Sequence, residues 1–209
     1  MSSKAYFDDV APRWETLRRT FFSDSLRDKA LSVATLESGQ LAADLGAGSG
    51  YLTEALIRRG LRVIAVDQSE TMLAALASRL AGQGQFEGRL GEAERLPIAD
   101  GEVDHAFANM YLHHVERPGI ALREMARIVR PGGMVVVTDM DVHGFEFLRT
   151  EQHDRWMGFP RQSVREWLQA AGLRDVQVEC AGETCSSASE CGSAHATVSL
   201  FLAWGSRED

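Results

Sequence analysis

The chain has 209 residues, 44% of them hydrophobic and 25% charged, a balance that fits one soluble globular domain and excludes collagen-like, solenoid and disordered architectures. The net charge is −8, the only lysines are Lys4 and Lys29, and the arginines are spread along the whole length, so there is no basic stripe for a nucleic-acid backbone and no nucleic-acid partner is expected. No apolar run reaches the roughly 18 residues that a spanning helix needs, and the acidic start of the chain has no secretory or transit character, so the expectation is a cytoplasmic protein without a membrane span.

Residues 1–39 carry no strand signal. Phe7, Val10, Trp14, Leu17, Phe21, Phe22, Leu26, Ala30 and Val33 recur near the helical period and predict one or two helices lying over the remainder of the fold. Residues 40–45 read as a strand, the stretch from Asp44 to Gly50 as a glycine turn, and residues 51–59 as a helix. The unit repeats in kind with a strand over 61–66 and a helix running to Leu80, opened by Ser69 as N-cap with Glu70 in its first turn. Strands over 86–90 and 103–108, a helix over 118–129, a Pro-Gly-Gly turn and a strand over 134–138 continue the alternation. Alternating strands and helices of this length predict a parallel sheet covered on both faces.

The C-terminal part differs. An irregular insertion over 139–161 is followed by a helix over 163–171, a strand over 173–180, a Ser/Gly/Cys-rich loop and a strand over 196–203. The last two strands have no helix between them and should pair antiparallel. The first of them follows a helix, as the parallel strands do, so it delivers the loop to the carboxyl edge of the sheet, where open α/β sheets bind ligands. The expected fold is therefore α/β: a doubly wound, mainly parallel sheet of seven strands with an antiparallel C-terminal hairpin strand.

The spacing Asp44-x-Gly46-x-Gly48-x-Gly50 lets a strand reverse into a helix while its backbone approaches a ligand closely, and the following helix aims its N–H groups into the same space. An anionic or zwitterionic ligand end fits there. Asp67 ends the second strand 17 residues after Gly50, where a carboxylate accepts ribose hydroxyls. Together these features call for a nucleoside-like cofactor. A dinucleotide fingerprint wants glycine where Tyr51 stands, which argues against a dehydrogenase.

Asp44-Leu-Gly-Ala-Gly-Ser-Gly50, Val66-Asp67-Gln68-Ser69, Gly91-Glu92-Ala93-Glu94-Arg95-Leu96-Pro97 and the stretch from Leu122 to Gly133 resemble the class I S-adenosylmethionine-dependent methyltransferases over about residues 40–140. The resemblance is closest to the branch that includes the ubiquinone and menaquinone biosynthesis methyltransferases, whose Leu-His-His segment is present as Leu112-His113-His114. It implies a Rossmann-like fold, S-adenosyl-L-methionine as methyl donor and S-adenosyl-L-homocysteine as product. Residue by residue, it implies that Gly46, Gly48 and Gly50, with Ala47 and Tyr51 in the same turn, cradle the methionine end, and that Asp44 lies beside its amino group. Asp67 would take the ribose, Gln68 and Met72 would flank the adenine, Glu92 and Ala93 would meet its edge, and Asn109 and Met110 would face the donor methyl group. It also implies an N-terminal helical lid, residues 1–39, over a methyltransferase domain, residues 40–209, with Tyr6, Phe7 and Trp14 as the closing aromatics. The stretch from Glu146 to Phe159 further resembles a subgroup sometimes fused to an arsenic-type regulator.

Methyl transfer from a sulfonium is an in-line displacement, in which the protein holds a small-molecule acceptor about 3 Å from the methyl carbon. If the acceptor is a hydroxyl or a carbon acid, His113 or His114 at the carboxyl edge is the expected base. Asp139-x-Asp141-x-His143 leaves the fifth strand at the same edge, which makes Asp141 and His143 further candidates as base or metal ligands, on one face if the strand continues. A hydrogen-bonded loop is the competing reading, and no resident metal is expected. Cys180, Cys185 and Cys191 fall in one short stretch, which argues for free thiols rather than a disulfide framework. Gathered thiolates there could hold a soft metalloid, as in arsenite methyltransferases of the same fold. The alternatives to small-molecule methylation are thus thiol-based metalloid methylation and a non-catalytic binding module. A nucleic-acid amino methyltransferase would carry Asn-Pro-Pro-Tyr where this chain has Asn109-Met-Tyr-Leu.

Overall fold

The computed structural model describes residues 3–189 and 192–208. The N-terminal stretch forms three helices, α1 (Ser3–Val10), α2 (Trp14–Phe21) and α3 (Asp24–Ser32), where the periodicity predicted one or two. A 3-10 turn over Ala11–Arg13 separates the first pair, because Pro12 lacks the amide that would continue the α-helical ladder. The Ser23 hydroxyl accepts the amide of Ser25 and starts α3 afresh.

The alternating part comes next as β1 (Leu41–Leu45), α4 (Tyr51–Arg58), β2 (Arg62–Asp67), α5 (Glu70–Arg79), β3 (Phe86–Leu90), β4 (Val103–Asn109), α6 (Pro118–Ile128) and β5 (Val129–Met140). The Ser69 hydroxyl accepts the Met72 amide at 3.0 Å, as its position before α5 predicts. After a short α7 (Glu146–Glu151) and α8 (Arg161–Ala170) come β6 (Leu173–Ala188) and β7 (His195–Arg207). The seven strands lie in the order β3-β2-β1-β4-β5-β7-β6. All pairs from β3 to β5 are parallel, and β7 runs antiparallel to both β5 and β6.

Two local readings give way to strand. Residues 130–133 lie within β5 rather than in a turn, and Gly133 is needed there because a Cβ would collide with the Asp104 carbonyl on β4. The Ser/Gly/Cys-rich stretch 181–188 continues β6 past a register shift between Cys180 and Thr184. Cys185 pairs with Val198 of β7, and it and Ala181 are buried in the core on that face, so cross-strand pairing outweighs the turn-forming composition.

The sheet has a core on each face. On β5, Val135 and Val137 pack with α6 and α8, while Val136 between them packs with α3 and α4, as strand alternation requires. Each of these side chains is essentially fully buried and contributes on the order of 1.5–3 kcal/mol. Among the described residues no helix is long and apolar enough to cross a membrane.

Candidate active site

The carboxyl ends of β1, β2, β4 and β5 open into one cavity, roofed by α1 and α2. On its β1 side, Asp44 is 2% exposed and accepts the Thr53 amide and hydroxyl at 2.8 and 2.6 Å. Burial raises its carboxyl to about 6 despite those two bonds. The turn after it needs glycine for two separate reasons. At Gly46 (φ +69°) a Cβ would enter the ring of Tyr111, and at Gly48 (φ +51°) it would lie 3.2 Å from the indole nitrogen of Trp14. Gly46 and Ala47 donate their amides to the Val66 carbonyl at 2.9 and 3.0 Å, which binds the turn to β2. Asp67, at the end of β2, accepts the amides of Gly48 at 2.8 Å and Ser69 at 2.9 Å, and its carboxyl is raised by burial.

Of the residues expected to hold a cofactor, Asp44, Gly46, Ala47, Gly48, Tyr51, Asp67, Gln68, Asn109 and Met110 line this cavity. Gly50 does not; it caps α4 at φ +88° and packs against Leu76. Met72 is turned away under α1 with Val10 and Ala11, and Ala93 is in the core with Leu96 and Ile98. Glu92 bridges to Arg95 beside it and does not border the cavity. Met110 holds φ +51°, an unusual conformation for a side-chain-bearing residue, fixed by the hydrogen bond that its amide donates to the Thr138 carbonyl at 2.8 Å.

The far end of the cavity is polar. His113, 4% exposed, sits in a 3-10 turn over Leu112–His114 with Nδ1 2.7 Å from Asp139 Oδ1. Burial works against charge on its ring, but the carboxylates of Asp139 and Asp154 outweigh it and push the ring up to about 9. His114 responds oppositely, held well below the usual range by burial and by the charge on His113. Asp154, 4% exposed, is pushed up to about 6 by burial, which His113 opposes.

Asp141 and His143 are not part of this cluster. The strand ends at Met140, so alternation does not continue: Asp141 pairs with Arg161 at 2.7 and 2.6 Å, and His143 Nδ1 accepts the Phe145 amide at 3.3 Å. Neither borders the cavity. The cysteines are also separated. Cys180 is exposed; Cys185 is buried against the cavity, and its thiol is pushed up to about 12 by burial; Cys191 lies outside the described residues. Among the described residues, no group that includes a cysteine brings three ligand atoms together.

Sequence reasoning missed Tyr111, which covers Gly46, and Asp154, whose signal was its place in the Glu146 to Phe159 stretch. It also missed how α1 and α2 are fastened: Ser69 donates to Asp8 at 2.6 Å, and Ser49 donates to Glu15 at 3.0 Å. Phe7 stands edge-on to His114 with ring centres 4.9 Å apart, and to Trp14 at 5.2 Å.

A parallel sheet extended by an antiparallel hairpin, a glycine turn after β1 and a carboxylate at the end of β2 define a nucleoside-binding α/β protein of the methyltransferase type. Residues 43–137 match the methyltransferase domain family. The chain is 32% identical over 169 residues to a demethylmenaquinone methyltransferase of Thermobifida fusca, covering 78% of this chain and 70% of that protein. It is 34% identical over 197 residues to the enzyme of the same name from Mycolicibacterium paratuberculosis, covering 84% and 83%. Phosphoethanolamine N-methyltransferase 2 of Haemonchus contortus, solved in complex with S-adenosyl-L-methionine, shares the fold with a TM-score of 0.72 at 17% identity, over 88% of this chain and 52% of that one. The chain belongs to the class I S-adenosylmethionine-dependent methyltransferases, in the branch of the demethylmenaquinone enzymes.

Proposed function

We propose that this enzyme transfers the methyl group of S-adenosylmethionine to a small, planar, largely apolar acceptor that carries an acidic hydroxyl or carbon. One observation carries the reading: a single cavity is lined by the glycine turn and Asp67, by His113, His114 and Asp154, and by the apolar side chains of Phe7, Trp14, Phe21, Phe22 and Leu148. The residues present fit the donor. Gly46 and Gly48 let Tyr111 and Trp14 lie close against the backbone of the turn, and among the described residues the buried Asp44 carboxylate pairs with Thr53 and with no cationic side chain, which suits an ammonium group. When bound, the donor supplies an electrophilic methyl on a sulfonium.

The chain's own residues do the rest. Asp44 receives the amino group, Asp67 takes the ribose, Gln68 flanks the adenine, and Asn109 and Met110 face the donor methyl group. Helices α1 and α2 act as a lid, latched by Asp8 on Ser69 and Glu15 on Ser49, and their aromatic rings exclude water from the reacting atoms. The polar end holds the acceptor as its anion, the proton having passed to solvent, beside the charged ring of His113 that Asp139 fixes in place. Asp141, His143, Gly50, Met72, Glu92 and Ala93 have no direct part in this reading.

A quinone-like aromatic acceptor is the finer proposal. It is supported by the aromatic wall and by the relatives named demethylmenaquinone methyltransferase. Free thiols at Cys180 and Cys185 agree with a reducing, cytoplasmic setting. The test is transfer of labelled methyl from the donor to a reduced demethylnaphthoquinone, to simpler phenols and to RNA. Label in the naphthoquinol is the expected result. Label only in RNA, or in no acceptor despite donor binding, would overturn the reading.

A further inference from the structure

Three ligand-type atoms converge at the polar end of the cavity. His113 Nε2, His114 Nδ1 and a carboxylate oxygen of Asp154 all lie within 4.8 Å of one another, and they form the one such group among the described residues. The two nitrogens lie 3.8 and 3.9 Å from the same oxygen, Asp154 Oδ1, too far for hydrogen bonds. Buried polar atoms are almost always satisfied, yet among the described residues His114 Nδ1 has no hydrogen-bond partner. Asp154, 4% exposed, meets both imidazoles through those two long contacts.

The surroundings prepare the rings. His113 Nδ1 is engaged by Asp139, which leaves Nε2 as the nitrogen that faces the cluster and that gives up its proton to solvent when an ion binds. The His114 ring bonds the backbone of His153, which leaves Nδ1 as the free lone pair. A carboxylate or carbonyl behind each ring, fixing its tautomer and orientation, is the arrangement found around metal-ligating histidines. Two buried carboxylates, Asp139 and Asp154, also favour a cation at this point.

We propose that His113, His114 and Asp154 bind a divalent transition-metal ion at the acceptor end of the cavity. Two imidazoles and one carboxylate suit zinc, iron(II) or manganese(II) and leave coordination positions open. Around an ion bound at about 2.1 Å in tetrahedral geometry, ligand atoms stand about 3.4 Å apart, so each imidazole nitrogen closes on the Asp154 oxygen by about half an ångström. The open positions take a hydroxyl oxygen of the acceptor, which the ion stabilises as its anion while the proton leaves to solvent. That last role rests on the cavity's polar end being the acceptor site; metal binding itself does not.

The probe is the metal alone. Protein stripped with a chelator is titrated with zinc by calorimetry, and with cobalt(II) by visible absorption, whose bands report imidazole and carboxylate ligation. One equivalent of zinc, competitive with cobalt, is expected. Asp154→Asn and His114→Ala should each weaken zinc binding at least tenfold, and Asp139→Asn by about 10- to 100-fold. A circular-dichroism spectrum and a urea-unfolding transition that stay cooperative certify that each variant is folded. Failure of the wild type to bind stoichiometrically, or equal affinity in Asp154→Asn, overturns the metal site and leaves the methyl-transfer reading standing. Metal binding without label transfer to any acceptor does the reverse.

Discussion

The carboxylate of Asp67 accepts the amide of Gly48 at 2.8 Å, so the end of β2 holds the turn after β1 in a ligand-ready shape. The same carboxylate takes the Ser69 amide at 2.9 Å and thereby fixes the start of α5. Asp67→Ala removes both bonds together with the proposed ribose contact, and charge-assisted hydrogen bonds are worth about 1.5–3 kcal/mol each. Gly48→Val adds a branched side chain at positive φ beneath Trp14. Each variant should weaken S-adenosylhomocysteine binding by at least tenfold in calorimetry, and unchanged affinity in both would remove this turn from the site.

Donor affinity should depend on pH through Asp44. Its carboxyl is raised to about 6 by burial, so below that pH it is protonated and no longer attracts an ammonium group. Binding is expected to weaken as pH falls from 7 to about 5, and to lose that dependence in Asp44→Asn. Stability of the free protein has its own sign. Because the folded pKa lies above the unfolded one, the contribution of Asp44 is favourable at low pH and is lost as pH rises through about 6. Affinity that rises on acidification would contradict the assignment.

His113 and Asp139 are buried together, and removing one strands the other. His113→Leu leaves the fully buried Asp139 carboxylate without its ring partner at 2.7 Å. Breaking such a pair costs about 3–5 kcal/mol. Urea unfolding should show a loss in that range for His113→Leu, and a loss below about 1 kcal/mol would mean that water or a neighbour replaces the ring.

The lid reading predicts where ligand protection appears. The latches Asp8 to Ser69 and Glu15 to Ser49 join α1 and α2 to both halves of the donor site. Amide exchange with S-adenosylhomocysteine should therefore slow in residues 3–21 as well as in 44–69. Protection confined to 44–69 would show that the helices pack on the site without closing over it. Glu15→Gln should reduce the lid protection selectively, because Ser49 keeps its backbone place.

Sequence alone determined the alternating sheet, the glycine turn, Asp67, and the Leu112-His113-His114 segment, because each is written in neighbouring residues: periodicity, turn chemistry and a short motif. It misplaced what pairing across distance decides. Residues 181–188 have the composition of a loop, yet they become strand because β7 lies alongside them and buries every fourth residue, Ala181 and Cys185, against its own apolar side. Alternation predicted Asp141 and His143 at the site, but β5 stops at Met140 and Arg161 draws Asp141 aside. His113 instead meets Asp139, 26 positions away, and Asp154 on the far side of the insertion. Nothing local to any of these residues encodes that meeting; it arises from the parallel order β1-β4-β5, which brings the turn after β4 against the end of β5, and from the insertion folding back over both.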